Sequence, residues 1–294
     1  MFDLSSEVLD KVTDARPQPL TSPTLVLKSA LAMFWAHLGS LNALQTVSAA
    51  RFWKRWLERE PISADTMGRA HTVLNVTQLR DGLHQVYRRL KRNKALPLNL
   101  GLDVAVLDGH EQHASYRRHC AGCRQRTVKT EHGERIQYYH RQASAGLVGL
   151  RTDASRRGRS LLRHALTHPC AVRRQLDRTV TQETSAWVWV TTVPQSQAPT
   201  VRVVYWGHQR WDIENLGFNE LGNGWEADHI YKHKAQAIEA FLLVTFLAYN
   251  IFHAFIGLNL KPQLRDTKPA AYWVRLIVAE LYRGAGRTTY QRAP

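Results

Sequence analysis

Two acidic residues lie where phosphodiester chemistry would need them, and the first is Asp108. It directly follows Leu102 to Leu107, a run in which five of the six residues are apolar. Such a run is typical of a strand buried on both faces of a sheet, and open α/β sheets build their sites at the carboxyl ends of their strands. Asp108 is therefore a candidate site residue, and the alternative is a simple Asp-Gly turn.

The second acid is Glu214, which lies four residues after Arg210. On a helix this spacing places both side chains on one face. The apolar neighbours Trp211 and Ile213 predict that the helix is partly buried. The alternative is an exposed ion pair, which contributes only about a few tenths of a kcal/mol.

Carboxylates of this kind suit metal-dependent cleavage of phosphodiesters. Two divalent ions about 4 Å apart can activate the attacking oxygen and stabilise the leaving one. Magnesium prefers hard oxygen ligands and retains several waters, so two or three protein carboxylates are enough to hold it.

The net charge of the chain points to a polyanion as its partner. The 294 residues include 40 Lys plus Arg against 24 Asp plus Glu, which gives a formal charge of +16. DNA or RNA is the first expectation, an acidic membrane surface the second and an acidic protein the third. Because the arginines are spread along the chain, a basic tail does not account for the charge.

The cysteines and histidines offer weaker signals. Cys120 and Cys123 form a single CxxC, which without a second pair is weak evidence for zinc, so zinc is not expected. The histidines near this pair in the sequence are His110, His113 and His119. His229 and His233 lie one helical turn apart, a spacing compatible with metal, although phosphate contacts or a solvated basic face are favoured.

The order of elements predicts an α/β chain with an all-helical amino-terminal domain at 1–97. Residues 24–96 carry helical periodicity, with Ser63 at a helix start. A core at 98–265 and a basic carboxyl-terminal tail at 266–294 follow. Within that core we expect strands at 102–107, 136–150, 186–193 and 200–206. A short helix is expected at 160–168, with no convincing strand after it, and an apolar helix at 235–258. A further helix is expected from Gln209, and it should stop or bend at Gly217 and again near Gly222 and Gly224.

Membrane and secretory roles are not favoured by the sequence. The apolar stretch Ala240 to Leu258 nearly matches a bilayer in length, but Asn250 and His253 interrupt it, so a buried core helix is expected. The amino terminus opens with acids and predicts no signal peptide. Three cysteines are too few for a disulfide framework, which fits a reducing cytosolic setting.

Several motifs together resemble DDE-type insertion-sequence transposases of bacteria. They are VLDGHEQ, QYYHRQ, WVTTVP and the segment from His208 to Phe252, and the resemblance covers most of residues 24–265. It implies an RNase H-like core, a mixed sheet flanked by helices. In this family the first catalytic Asp ends the first core strand, which corresponds to Asp108, and an Arg precedes the catalytic Glu by four positions, which corresponds to Arg210 and Glu214.

The resemblance also implies cofactors, partners and a location. Asp108 and Glu214 would bind Mg²⁺ or Mn²⁺, and the partner would be double-stranded DNA, both the element ends and the target. A homodimer in the DNA complex and a cytoplasmic, nucleoid-associated location are expected, with no membrane. The candidate DNA-contacting residues are Arg88, Arg89, Lys91, Arg92, Lys232, His233 and Lys234. Acids after Glu214, such as Glu220 and Asp228, are expected only to offset the local basic charge.

The chain departs from the family pattern in several respects. Related transposases have a Tyr and a Lys where Gly207 and Leu221 stand here. The second catalytic Asp is not evident, because Asp153 comes early and Asp177 follows a run broken by arginines. The pattern also breaks near 151–178. The sequence therefore leaves two hypotheses, an active enzyme and a shortened, non-catalytic DNA-binding remnant.

Overall fold

The computed structural model describes most of the chain. The described residues are 7–48, 50–93, 104–148, 170–174, 180–184, 194–212, 217–265 and 267–283. The chain divides into two compact units. The first comprises residues 1–95, 109–142 and 218–294, and the second comprises residues 96–108 and 143–217.

Five main helices form the described amino-terminal part of the first unit, as the periodicity predicts. They are α1 (Pro23–Trp35), α2 (Leu41–Thr46), α3 (Arg51–Leu57), α4 (Ala64–His71) and α5 (Val76–Arg92). The Oγ of Ser63 accepts a hydrogen bond from the backbone N–H of Thr66, which satisfies one of the free donors at the start of α4. The helix start predicted at Ser63 is therefore confirmed.

A long apolar helix, α8 (Ala235–Asn259), provides the core against which these helices pack. It contacts α1, α4 and α5, and buried residues recur along it, among them Phe241, Val244 and Phe252. The indole N–H of Trp35 donates to the carbonyl of Ala248 over 3.0 Å. Length and composition alone would allow α8 to cross a membrane, but its packing confirms the prediction of a buried core helix.

The other helices of the described residues follow the strands in sequence. They are α6 (Thr200–Asp212), α7 (Asn219–Trp225), α9 (Pro262–Arg265) and α10 (Ala270–Arg283), and α10 packs on α1. Helix α7 runs through Gly222 and Gly224 and ends one residue later, so the predicted stop near these glycines is confirmed to within one residue. The helix ends at Trp225, and Glu226 adopts a left-handed conformation with φ of 53°.

In the described part of the chain, three strands form the main sheet, in the order β1-β3-β2. They are β1 (Val104–Ser115), β2 (Arg124–Thr130) and β3 (Gly133–Val148), and β2 pairs antiparallel with β3. Arg126 on β2 contacts Gln137 on β3 and reaches across it to Glu111 on β1, with the two guanidinium–carboxylate distances at 3.0 and 2.8 Å. Strand β3 confirms the strand predicted near 136–150.

The first strand is longer than its apolar run predicts. β1 continues through Asp108 and on to Ser115, so the prediction that Asp108 lies at the carboxyl end of the strand is wrong. The residues after Asp108 are mostly polar, and a hydrophobicity pattern does not detect a strand whose polar side chains are held by partners.

Within the described residues, a two-stranded sheet lies in and just after the segment 151–178, where the sequence pattern breaks. Strands β4 (Cys170–Arg174) and β5 (Val180–Thr184) pair antiparallel. The expectation that no strand follows the helix predicted at 160–168 is therefore wrong, because backbone pairing forms here despite two arginines in β4. The predicted helix at 160–168 and the predicted strand at 186–193 lie outside the described residues.

The strand predicted at 200–206 is a helix. Thr200 begins α6, and the backbone N–H of Arg202 bonds the carbonyl of Pro199 as the helix starts. The valines and aromatic residues of this segment favour strands, but Val201, Val204 and Tyr205 also follow helical spacing. The preceding residues, Pro194 to Ala198, form a turn that leads into α6.

Candidate functional site

Asp108 and Arg210 belong to the same compact unit. The side chain of Asp108 is half-buried on β1, and Arg210 lies near the end of α6, which confirms a helix over residues 209–212. The side chain of Arg210 lies outside the described part of the chain, as do Glu214, Asp153 and Asp177. The assignment of these residues to a catalytic site therefore stays a prediction.

Two side chains in the second half of β1, those of His110 and Gln112, contact other residues of the first unit. The Nε2 of His110 is 2.6 Å from the Oδ1 of Asp228. The ring of His110 packs on that of Phe218. The buried side chain of Gln112 donates to the carbonyl of Ala227 over 2.7 Å. Strand β1 is thus joined to the turn after α7 by side chains spaced two residues apart, which point to the same face of the strand.

The carboxylate of Glu220 is also held by specific partners. Its two oxygens accept hydrogen bonds from the Tyr249 hydroxyl at 3.2 Å and from the His253 Nε2 at 3.1 Å. Burial raises the pKa of Glu220, but the hydrogen bond and charge of His253, with smaller effects from Tyr249 and His37, lower that pKa overall. The expectation that Glu220 and Asp228 only offset basic charge is wrong, because each is bonded to an identified side chain.

His37 lies beside the same helix as an uncharged ring. Burial lowers the pKa of His37 to about 4, and the nearby charge of Glu220 only partly opposes this. Its ring lies 4.9 Å from that of Trp225, which in turn packs on Tyr249 and Phe252. The aromatic contacts of Trp225 thus join α7 to α8 alongside the hydrogen bonds of Glu220.

A cluster of two thiols and one imidazole lies at the sheet. The Nε2 of His140 is 3.3 Å from the Sγ of Cys120 and 3.3 Å from the Sγ of Cys123, and the two sulfurs are 3.8 Å apart. Among the described residues these three form the group whose ligand atoms could hold one metal ion. Burial raises the pKa of the Cys123 thiol, with the neighbouring Cys120 thiol adding to the effect and its backbone opposing it.

The histidine of this cluster, His140, is not one of the three histidines that lie close to the cysteines in the sequence. His110 contacts Asp228, and His119 stacks on Tyr138 with ring centroids 4.5 Å apart. The side chain of His113 lies outside the described part of the chain. His140 is seventeen residues from Cys123, and only the pairing of β2 with β3 brings it close, so residue spacing did not identify it.

The side chains of the candidate DNA-contacting residues differ in exposure to solvent. Arg88, Lys91, Arg92 and Lys234 have exposed side chains, whereas Lys232 and His233 are half-buried. Arg89 is engaged in an ion pair with Glu7.

The segment that contains His229 and His233 is not helical, because α8 begins only at Ala235. The prediction that these two histidines lie one helical turn apart is therefore wrong. The ring of His229 packs instead on the edge of Tyr231, with centroids 4.5 Å apart.

A comparison with protein-family models places the chain among known proteins. The model described as "Transposase DDE domain" matches residues 67–251, which is more than half of the chain. Comparisons with curated proteins and with solved structures give no match. The matched range includes Asp108, Arg210 and Glu214 as well as helix α8. The chain therefore belongs to the transposase DDE domain family.

Proposed function

We propose that this transposase cleaves phosphodiester bonds and transfers strands at insertion-sequence ends in a divalent-metal-dependent reaction. Asp108 and Glu214 are the metal ligands of this proposal. The observation that carries it is the family match, which spans both residues. An RNase H-like arrangement of the core is part of the same proposal, and the mixture of helices and antiparallel strands is compatible with it.

The chemistry of the residues fits magnesium or manganese. Asp108 offers a half-buried carboxylate on a strand, so its oxygens are partly withdrawn from water while the backbone is held by pairing. Carboxylate oxygens are the hard ligands that these ions prefer. When bound, the ions would activate the attacking oxygen and stabilise the leaving oxygen.

Arg210 has a separate role in the proposal. It lies on α6, four residues before Glu214 in the sequence, and a guanidinium there can neutralise a phosphate or orient the carboxylate. Because the guanidinium remains charged at all physiological pH values, the role does not depend on a proton transfer by Arg210.

The net charge of +16 supports binding to double-stranded DNA. The exposed arginines at the end of α5 and the basic residues before α8 are the proposed contacts, and two copies of the chain would act on paired ends in the cytoplasm. Residues 1–97 are proposed to bind DNA and residues 98–265 to form the core. Since α1, α4 and α5 pack on α8, the DNA-binding role has to be tested in the whole chain.

The test is nicking of a supercoiled plasmid that carries the gene with its flanking genomic DNA, in magnesium and in manganese. We expect nicking by the unaltered chain and none by Asp108→Asn or Glu214→Gln, with DNA binding retained. Matched controls are Asp81→Asn and Glu131→Gln, which change exposed acids of α5 and the β2–β3 turn and should leave nicking intact.

Two outcomes would contradict the proposal. Nicking by Asp108→Asn at the rate of the unaltered chain would remove Asp108 from the site. DNA binding by the unaltered chain without nicking in either metal would instead identify a non-catalytic DNA-binding remnant.

A further inference from the structure

The cluster of Cys120, Cys123 and His140 has the dimensions of a metal site. The observed separations are 3.8 Å between the sulfurs and 3.3 Å from each sulfur to the Nε2 of His140. A tetrahedral zinc ion, with bonds of about 2.3 Å to sulfur and about 2.05 Å to nitrogen, requires about 3.8 Å between two sulfurs and about 3.6 Å between sulfur and nitrogen. The three atoms therefore need to move by only about 0.3 Å to become three vertices of that tetrahedron.

The backbone explains why these residues meet. The ladder of β2 and β3 pairs Arg124 with Tyr139, so one step further along the same register places Cys123 opposite His140. A turn then returns the chain, since the N–H of Cys123 donates to the carbonyl of Cys120 over 3.1 Å. Strand pairing and a short turn thus fix all three ligands before any ion binds.

Two contacts hold the residues of the cluster in place. The backbone N–H of Cys120 donates to the Sγ of Cys123 over 3.2 Å, and this contact orients the sulfur. His119 stacks on Tyr138, which lies on the same face of β3 as His140. This stack holds the chain immediately before Cys120.

The donor atoms select the kind of metal. Two thiolates and one imidazole are soft to borderline ligands, which suit zinc and are unsuited to magnesium. A disulfide is a poor description of the pair, because its sulfurs would lie about 2.05 Å apart rather than 3.8 Å. We propose that Cys120, Cys123 and His140 bind a structural zinc ion, separate from the magnesium ligands Asp108 and Glu214.

The expected role of the ion is to fasten the β1–β2 connection to strand β3. The cysteines lie between β1 and β2, and His140 lies within β3, so a metal bridge would close this connection on the sheet. The fourth vertex is filled by water or by a further side chain. The binding free energy of such a site adds directly to the stability of the fold.

The test is the metal content of the full chain, purified under reducing conditions without chelator and then supplied with zinc. We expect about one zinc per chain, and less than about a tenth of that in the double variant Cys120→Ser/Cys123→Ser. Replacing zinc by cobalt(II) should give the intense visible absorption of a tetrahedral ion with thiolate ligands, which adventitious surface binding does not produce.

Matched controls separate this site from other thiols and histidines. Cys170→Ser and His132→Ala alter the third cysteine and an exposed histidine of the β2–β3 turn, and both should keep the zinc. His140→Ala should lose it or weaken it at least about tenfold. Two results would overturn the proposal: an unaltered chain that binds neither zinc nor tetrahedral cobalt, and equal zinc retention by the double cysteine variant. Neither depends on DNA cleavage, so failure of the zinc site is distinguishable from failure of the proposed nuclease chemistry.

Discussion

The Nε2 of His110 lies 2.6 Å from the Oδ1 of Asp228, and this contact joins β1 to the turn after α7. Asp228 also lies directly against Gly222, so that a Cβ at position 222 would be 2.8 Å from its Oδ2. Glycine at 222 thus leaves room for the carboxylate that His110 holds. The arrangement explains a glycine in the middle of a helix, where alanine is normally favoured.

Helix α7 therefore allows a matched comparison of two glycines. Gly224→Ala would place its Cβ 3.7 Å from His37, an ordinary contact, so higher helix propensity should stabilise the fold by up to about 1 kcal/mol. Gly222→Ala has the same propensity gain but displaces the Asp228 carboxylate from His110. We expect Gly222→Ala to be less stable than Gly224→Ala by about 1 kcal/mol, as measured by urea denaturation.

Removing the carboxylate provides the control for this comparison. In an Asp228→Ala background, the two alanine variants should differ far less, because no side-chain oxygen then meets the new methyl group. Equal stability of the two variants in the unaltered background would show that Asp228 moves aside without cost.

His71 makes stability depend on pH. It is fully buried on α4, and its ring is stacked on that of Phe241 with centroids 3.8 Å apart. Burial lowers the pKa of His71 to about 4, although a hydrogen bond to the carbonyl of Met67 opposes this effect. Between the unfolded pKa of about 6.5 and the folded value, the unfolded chain binds a proton that the folded chain does not. Stability therefore falls as the pH falls through this window, by about 2 kcal/mol from about pH 7 to about pH 5 for this group.

The variant His71→Phe tests the assignment, because an aromatic ring can still stack on Phe241 but has no proton to bind. Urea midpoints measured across the window should show a shallower decline than in the unaltered chain. Part of the decline should remain, because the pKa of His37 is also lowered by burial and its protonation also favours the unfolded chain. His84→Ala, at an exposed position of α5, should leave the slope unchanged. An unchanged slope in His71→Phe would show that His71 is not the titrating group.

The helices of the first unit could be predicted because their signals are local. Apolar residues at helical spacing and a capping side chain such as Ser63 lie within a few residues of the structure they specify. The apolar stretch of α8 likewise needed only its length and composition. The segment from Thr200 has signals for both a strand and a helix, and its β-branched residues favour a strand although the segment forms a helix.

The partners of the polar residues could not be predicted from sequence because they are set by tertiary structure. His140 meets Cys123 through strand register, and Glu220 meets His253 through the packing of α7 on α8. Each pair is separated by seventeen or more residues. Family resemblance identified Asp108 as a candidate, but the polar strand that continues beyond it gave no hydrophobic signal.

The hydrogen bond from Tyr249 to Glu220 should appear as a coupling free energy between the two side chains. Burial and the charge of Glu220 raise the pKa of Tyr249, so its hydroxyl remains a donor. In a double-mutant cycle of Glu220→Ala and Tyr249→Phe, we expect a coupling of about 1 kcal/mol. The control pair is Glu220→Ala with Tyr87→Phe on α5, which should be additive. Additivity in both pairs would contradict a stabilising contact.

The exposed arginines at the end of α5 should contribute to DNA affinity through phosphate contacts. Each phosphate neutralised by Arg88 or Arg92 releases counterions, so the variants Arg88→Ala and Arg92→Ala should each weaken binding and lower the slope of log affinity against log salt by about one. Arg69→Ala is the matched control, because this arginine forms an i,i+4 ion pair with Asp65 within α4. Fluorescence anisotropy with a labelled duplex over a series of salt concentrations measures both quantities. If the salt slope of DNA binding is the same for the unaltered chain, Arg88→Ala and Arg92→Ala, this end of α5 is not part of the DNA interface. The basic residues before α8 would then remain as the proposed contacts.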